Sequence, residues 1–261
     1  MSESVLRQQA GAVATITLNR PAARNALTFE TKVSLLDALR DCAGDESIRA
    51  LIITGSGTAF CAGQDLREHA DLLEQGAAPL DTVAEHYNPI VMAITGMPKP
   101  VIAAVNGVAA GAGAALALAC DFRIAARRAS LLMAFARVGL GADTGASWTL
   151  QRLAGAARAT ELLMLAEPVD ADRALGLGLL TSVVADEELP AAAAALAERL
   201  AAGPTRAYAA IKESLRYSAA HGLHESLAKE ADLQSALGGT QDHQAATRAF
   251  LAKQAQVFEG R

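Results

Sequence analysis

The chain has 261 residues, of which 61 are alanine, 52% are hydrophobic, 4% aromatic and 20% charged; it is too apolar and too weakly charged for disorder, and long enough to bury a core without disulfides. A net charge of −5, from 23 basic and 28 acidic residues, comes with no basic run, so neither nucleic acid nor an anionic membrane surface is an expected partner. The longest apolar stretch, Val108 to Cys120, contains two glycines and is only 13 residues long, too short to span a bilayer.

Val13 to Leu18 alternates with period two and reads as a half-buried strand, stopped by Asn19-Arg20-Pro21. After Thr28, the residues Val33, Leu35, Leu36 and Leu39 share one helical face, and Glu30 sits near the start, where the helix dipole favours an acid. Ala50 to Thr54 is a short apolar strand, followed by Gly55-Ser56-Gly57-Thr58. Helical patterns at Leu66–Glu74 and Thr82–Thr95 lead to Pro98-Lys99-Pro100. A buried strand, Val101 to Val105, then precedes Asn106-Gly107 and an alanine-rich helix from about Gly111 to Ala119. Phe122–Ala125, Ser130–Met133 and Leu179–Val184 are the remaining strand candidates. Helices are expected at Ala146–Leu153, Ala157–Leu165, Ala171–Leu175, Glu187–Ala202, Thr205–Ser218, Leu223–Leu237 and Gln241–Gln256. Strands alternating with helices imply an α/β core with parallel pairing. A helical C-terminal region begins near Pro204, dividing the chain into 1–203 and 204–261.

The polar start, Met-Ser-Glu-Ser-Val-Leu-Arg, shows no apolar signal core. Cys42, Cys61 and Cys120 make no disulfide framework. A cytoplasmic protein is the expectation.

Two places combine a strand, a glycine turn and a helix start: Ala59-Phe60-Cys61-Ala62-Gly63-Gln64-Asp65-Leu66 and Val105 to Ala114. Small residues let a ligand approach the backbone, and free amides at a helix start stabilise negative charge. Two amides aimed at one oxygen would form an oxyanion hole. The alternative is that these glycines only allow a helix to pack closely on a strand. A dinucleotide fingerprint fits poorly, because Leu116 stands where its third glycine belongs.

Leu18-Asn19-Arg20-Pro21, Phe60 to Leu66, Pro98 to Ala103, the Asn106–Asp121 block and Ala249-Phe250-Leu251-Ala252-Lys253 stand in the order and spacing of the enoyl-CoA hydratase/isomerase (crotonase) family, which the chain resembles over nearly its whole length. The resemblance implies a spiral of ββα units with a C-terminal helical region that builds trimers, often paired into hexamers. It also implies acyl-CoA thioester substrates, with coenzyme A as part of the substrate, no separate cofactor and no metal. Carried over by position, the oxyanion-hole amides fall on Ala62 and Ala112, beside Gly111. The stretch holding Ala62, Gly63, Gln64, Asp65 and Leu66 resembles a strand-like segment whose backbone holds the adenine end of CoA. Arg24 resembles a phosphate-contacting position, or is a solvated surface charge. Phe250 and Lys253 match positions that reach a neighbouring subunit's CoA, or are a core Phe and an exposed Lys.

Hydratases of this family activate water with two glutamates. Those positions hold Ala115 and Phe135 here, and neither can transfer a proton. The chain offers instead Asp143, which resembles the acid/base of isomerase and dehalogenase branches; the alternative is a helix N-cap. Tyr87-Asn88-Pro89, Met133-Ala134-Phe135, Asp143 and Trp148 resemble most the branch that converts ring-1,2-epoxyphenylacetyl-CoA to an oxepin and shifts double bonds of unsaturated acyl-CoAs. The chain departs from that branch at Ala142, Ala146 and Ser147, where Pro, Gly and Thr are usual. In that reading Phe135 lines an apolar acyl pocket. The alternatives are an enoyl-CoA hydratase and a degenerate CoA-thioester-binding relative. His221 and His224 read as a polar helix face, Cys61 as a small buried hydrophobe and Trp148 as packing.

Overall fold

The computed structural model describes residues 3–261; Met1 and Ser2, the first of the polar N-terminal residues, lie outside them. The alternating segment pairs at once with its neighbour: β1 (Val5–Ala10) and β2 (Val13–Leu18) form an antiparallel hairpin that turns at Gly11, φ 58°. β1 is an edge strand, exposed over its last four residues, so it lacks the apolar alternation that marks β2. Thr28 caps α1 (Phe29–Gly44), its Oγ1 accepting from the Thr31 amide at 3.2 Å.

Three ββα turns follow. The first is β3 (Ala50–Gly55), β4 (Ala59–Cys61) and α2 (Leu66–Glu74), after which comes α3 (Asn88–Thr95). The second is β5 (Val101–Val105), β6 (Val108–Ala110) and α4 (Ala112–Ala119). The third is β7 (Phe122–Ala126), β8 (Ser130–Leu132) and α5 (Ala146–Leu165). Then come β9 (Val169–Asp170), α6 (Ala171–Gly176), β10 (Ser182–Val184) and α7 (Leu189–Ala201). The chain ends with α8 (Thr205–Ser218), α9 (Leu223–Gly238) and α10 (Gln241–Leu251).

Each turn contributes its first strand to one sheet and its second to another. The large sheet has the order β1-β2-β3-β5-β7-β10 and the small one β4-β6-β8-β9. Pairing is parallel except at the β1–β2 hairpin and at β8–β9. The large sheet is buried on both faces. Leu51, Ile53, Val101 and Ala103 join the main core with α1 and α3, while Ile52, Ile102 and Ile124 meet Leu189, Ala193 and Ala197 of α7. Strands covered on both faces read as continuous apolar runs, which is why β3 and β5 are plain in the sequence.

Several expectations change. The helical pattern Thr82–Thr95 is not one helix: Val83–Tyr87 is a π turn, in which the Asn88 amide donates to the Val83 carbonyl, before α3 begins. Pro89 has no amide to offer the Glu85 carbonyl, so the turn widens. β4, β6 and β9 are only two or three residues long and carry no periodic signal. The last strand shortens to Ser182–Val184 and the last helix stops at Leu251. α5 is continuous only in outline, because Gly155 (φ 79°, ψ 161°) breaks it between the two expected helices. The C-terminal helices are tied to the core by Lys212, which donates to Asp121 Oδ2 at 2.7 Å, and by Arg49, which reaches Thr205 Oγ1 and the Phe258 carbonyl, both at 2.9 Å.

Candidate active site

The site grows from the ends of the small sheet. Beyond β4 the chain runs beside Arg24–Leu27: the Ala62 amide donates to the Arg24 carbonyl at 3.0 Å, Leu27 to the Gly63 carbonyl at 2.8 Å, and Asp65 to the Leu27 carbonyl at 3.1 Å. Leu27 and Gln64 form one isolated bridge, not the extended strand expected from Ala62 to Leu66, since α2 already begins at Leu66. Beyond β6, Gly111 (φ 50°) donates to the Leu132 carbonyl at 2.8 Å. The next amide, Ala112, opens α4, where the first amides have no intrahelical acceptor.

Glycine brings these two turns together. Gly63 has φ +86°, and a Cβ there would lie 2.7 Å from the Ala110 carbonyl oxygen and 3.4 Å from the Ala112 nitrogen. A Cβ on Gly113 would collide with the Cys61 carbonyl, so that glycine serves helix packing. Both readings of the glycines therefore hold, at different positions.

This geometry corrects one expected residue. The Ala62 amide is engaged by Arg24 and is not free to bind a ligand. Among the described residues, the Gln64 and Ala112 amides donate to no protein acceptor, and both residues line one cavity of about 310 Å³. The free amides that the structure brings to this cavity are those of Gln64 and Ala112. The sequence places Gln64 only in the CoA-holding stretch, because its free amide depends on the bridge to Leu27, a contact between distant segments.

Asp143 lines the same cavity, with Phe135, Leu140, Tyr87 and His69. Burial pushes its carboxyl above the usual carboxylate range, opposed by the Thr144 hydroxyl, which donates to Oδ1 at 2.6 Å. The N-cap alternative is not realised: the Asp143 carbonyl, not its carboxylate, accepts from Ala146, and the cap of α5 is Gly145. Among the described residues Asp143 is the one carboxylate lining the cavity. Ala115 is buried inside α4 and Phe135 forms part of the cavity wall.

A polar chain backs the Gln64 turn. Gln64 Oε1 accepts from Tyr87 Oη at 2.6 Å and from Lys32 Nζ at 3.2 Å; Lys32 also donates to Thr82 Oγ1 at 2.6 Å, itself 3.1 Å from His86 Nδ1. Burial lowers the Lys32 ammonium, partly offset by Glu68 and Asp65. Burial raises the Tyr87 phenol, reinforced by Cys61 and Asp143, so it stays protonated. His69 Nδ1, also at the cavity wall, is buried without a partner among the described residues.

The other expected residues divide. Asp65 is committed to the fold: it caps α2 through the Arg67 and Glu68 amides and pairs with Arg20 at 2.8 Å. Burial alone would raise its carboxyl, but these partners hold it below the usual range. Leu66, exposed, borders the cavity mouth. Arg24 is exposed in a left-handed conformation, φ 50°. Phe250 is 72% exposed, which removes the core alternative, and neither it nor exposed Lys253 lines the cavity of its own chain. Burial pushes the Cys61 thiol up to about 12, so it is no nucleophile. Trp148 is not core packing either: it is 44% exposed, with the Arg152 guanidinium 4.0 Å from its ring centre.

Residues 8–261 match the model of a family described as enoyl-CoA hydratase/isomerase. The chain belongs to that family. It is 42% identical to the 1,2-epoxyphenylacetyl-CoA isomerase of Escherichia coli K12, with all of both chains covered. It is also 35% identical, again over all of both chains, to the 2,3-dehydroadipyl-CoA hydratase of the same organism. Among solved structures, the enoyl-CoA hydratase of Bacillus anthracis superposes with a TM-score of 0.93 at 31% identity, covering 99% of this chain and 100% of that one. The crotonase fold, a spiral of ββα turns, accounts for the division into a large and a small sheet. Isomerase and hydratase names both occur among the relatives, so the family sets the enzyme class and the acyl-CoA type of substrate, and the cavity must argue the reaction.

Proposed function

We propose that the protein is an acyl-CoA isomerase acting on 1,2-epoxyphenylacetyl-CoA, 3-enoyl-CoA thioesters, or both. One observation carries this reading: among the described residues the cavity has a single carboxylate, Asp143, while the two hydratase glutamate positions hold Ala115 and Phe135. A thioester oxygen placed between the Gln64 and Ala112 amides gathers charge as its α-carbon loses a proton. Two fixed donors, one at the start of α4, favour that enolate over the ground state. Asp143 is the group that moves the proton. For a 3-enoyl thioester it takes the proton from Cα and returns it at Cγ, bringing the double bond into conjugation. For a ring epoxide the bond between the two epoxide carbons breaks as the ring expands, both C–O bonds being kept, and Asp143 carries the Cα proton to the ring carbon at the γ position, which leaves the oxepin conjugated with the thioester. Raised above the ordinary carboxylate range, Asp143 is better matched to this exchange than a solvent-exposed aspartate.

The test is mass spectrometry of the products from a panel of acyl-CoAs. Isomerised products of unchanged mass but shifted chromatographic retention are expected; rapid hydration of a 2-enoyl-CoA, a gain of one water, would overturn the isomerase assignment in favour of a hydratase. No turnover of any member would leave a CoA-thioester-binding relative. Coenzyme A arrives as part of the substrate, and no other cofactor is proposed.

Assembly into trimers, single or paired, belongs to the same reading. It is supported by the exposed apolar side chains of the C-terminal region, Ile211, Leu215, Leu223, Leu227, Phe250 and Leu251. Light scattering coupled to gel filtration tests it. A cytoplasmic location is proposed as well; among the described residues no helix is long and apolar enough to cross a membrane.

A further inference from the structure

The Gln64 side chain has no part in the chemistry described so far, although its backbone amide does. Its orientation is fixed by chemistry as well as by geometry. Lys32 Nζ, 3.2 Å away, carries only donors, so the carboxamide atom it meets must be the oxygen. Tyr87, held protonated, donates to that same oxygen at 2.6 Å. With Oε1 turned to these two donors, Nε2 must face the other way. Among the described residues Nε2 has no acceptor, yet it is not one of the buried polar atoms left unpartnered, so it remains open to solvent. Gln64 is half-buried, and it lines the cavity.

We propose that the Gln64 carboxamide, pinned at Oε1 by Lys32 and Tyr87, presents Nε2 to the acyl pocket as a hydrogen-bond donor. It thereby selects acyl thioesters that carry an oxygen acceptor next to the thioester arm over all-carbon ones. The proposal rests on the acyl-CoA reading above and narrows its substrate class. Much of the cavity lining is apolar, Leu80, Val83, Phe135 and Leu140 among it, beside the polar His69, Thr82, Tyr87 and Asp143. An all-carbon acyl group covering Nε2 would strip it of water and return nothing, a cost that an ether or epoxide oxygen removes. Because the backbone amide of the same residue faces the thioester oxygen, the acceptor must sit close to the thioester, on the β-carbon or its neighbour. A ring 1,2-epoxide of an arylacetyl group has its oxygen there. The ammonium behind Oε1 also polarises the carboxamide and strengthens its N–H donors.

The test uses two ligands of equal shape, cyclohexylacetyl-CoA and oxan-2-ylacetyl-CoA, which differ by one ring oxygen on the β-carbon; chromatography after each titration checks that the ether ring has not opened by loss of its β-oxygen from an enolate. Calorimetry on the wild-type protein should show the ether binding about tenfold more tightly. In Gln64→Glu the carboxylate still accepts from Lys32 and Tyr87 but has no donor, and the preference should vanish or invert. Gln64→Met, of similar length and without a donor, replaces it if Gln64→Glu fails to fold. Tyr87→Phe, which loosens the pin, should reduce the preference to about threefold. A general disturbance of the turn would weaken both ligands alike and leave their ratio unchanged. Equal binding of the two by a wild-type protein that isomerises 3-enoyl-CoA overturns this proposal alone, as does a tenfold preference surviving in Gln64→Glu. Failure to bind either ligand overturns it together with the acyl-CoA reading.

Discussion

The two sheets divide the labour of the molecule. The large sheet has strands of five or six residues for most of its width, buried on both faces, and none of its strand residues lines the cavity. The small sheet has strands of only two or three residues, yet β4 runs into Ala62–Gln64, β6 into Gly111 and Ala112, and β8 towards Phe135 and Asp143. Long buried strands supply stability, while two of the short ones end early and are followed by turns in which the Gln64 and Ala112 amides stay free. The comparison predicts that substitutions beside the small sheet change rate and those in the large sheet change stability.

The largest effect should follow from Asp143→Asn, which keeps the shape of the loop and removes the base. The rate of 3-enoyl-CoA isomerisation is expected to fall about 10²–10⁴-fold with an unchanged melting curve. A near-wild-type rate would detach the chemistry from the loop between β8 and α5.

Next comes a pair of glycines. In Gly63→Ala the new Cβ meets the Ala110 carbonyl at 2.7 Å in a left-handed conformation, displacing one donor from the other; a loss of about 10²–10³ in kcat is expected. Gly11→Ala, at the hairpin of the large sheet, meets nothing within 4 Å. It should cost only about 1–2 kcal/mol of backbone strain, with kcat untouched. Equal kinetic effects from the two would break the comparison.

Ile102→Ala opens a hole between the large sheet and α7, where Ile102 is fully buried. About 2–5 kcal/mol of stability should be lost in denaturant titration, with kcat per folded molecule retained.

The smallest effect is one of pH. Burial raises the Asp143 pKa, so the acid limb of kcat/KM should lie above the usual carboxylate range, activity falling as pH drops and the base is protonated. The Thr144 hydroxyl favours the charged form, so Thr144→Val should move that limb to higher pH. A limb that stays in place would mean another group controls it.

What the sequence discloses follows the same division. β2, β3 and β5 announce themselves by alternation or by apolar runs, and Gly155 separates two helices that the pattern already treats as distinct. Asp143 is legible because it is the carboxylate left when Ala115 and Phe135 vacate the hydratase positions. The strands β4 and β6 are too short for any period to register, and their place comes from parallel pairing with each other and with β8. The exchange of Ala62 for Gln64 as the free amide turns on three hydrogen bonds to Arg24 and Leu27. No local pattern encodes which of two neighbouring amides a distant segment will engage. The polar chain from His86 to Gln64 was invisible for the same reason: Lys32 and Gln64 are distant in sequence from the π turn before Pro89, which delivers Thr82, His86 and Tyr87 together.

On the proposed function, the placement of both free amides on the main chain has a consequence for inheritance. A codon change at position 64 or 112 can rewrite a side chain, but every residue except proline still supplies the same N–H. A pair of main-chain donors is thus shielded from most point mutations, while the side chains at positions 143 and 64 remain free to drift. A lineage built this way can trade one reaction for another by altering a few side chains, without passing through a form that has lost its grip on the thioester.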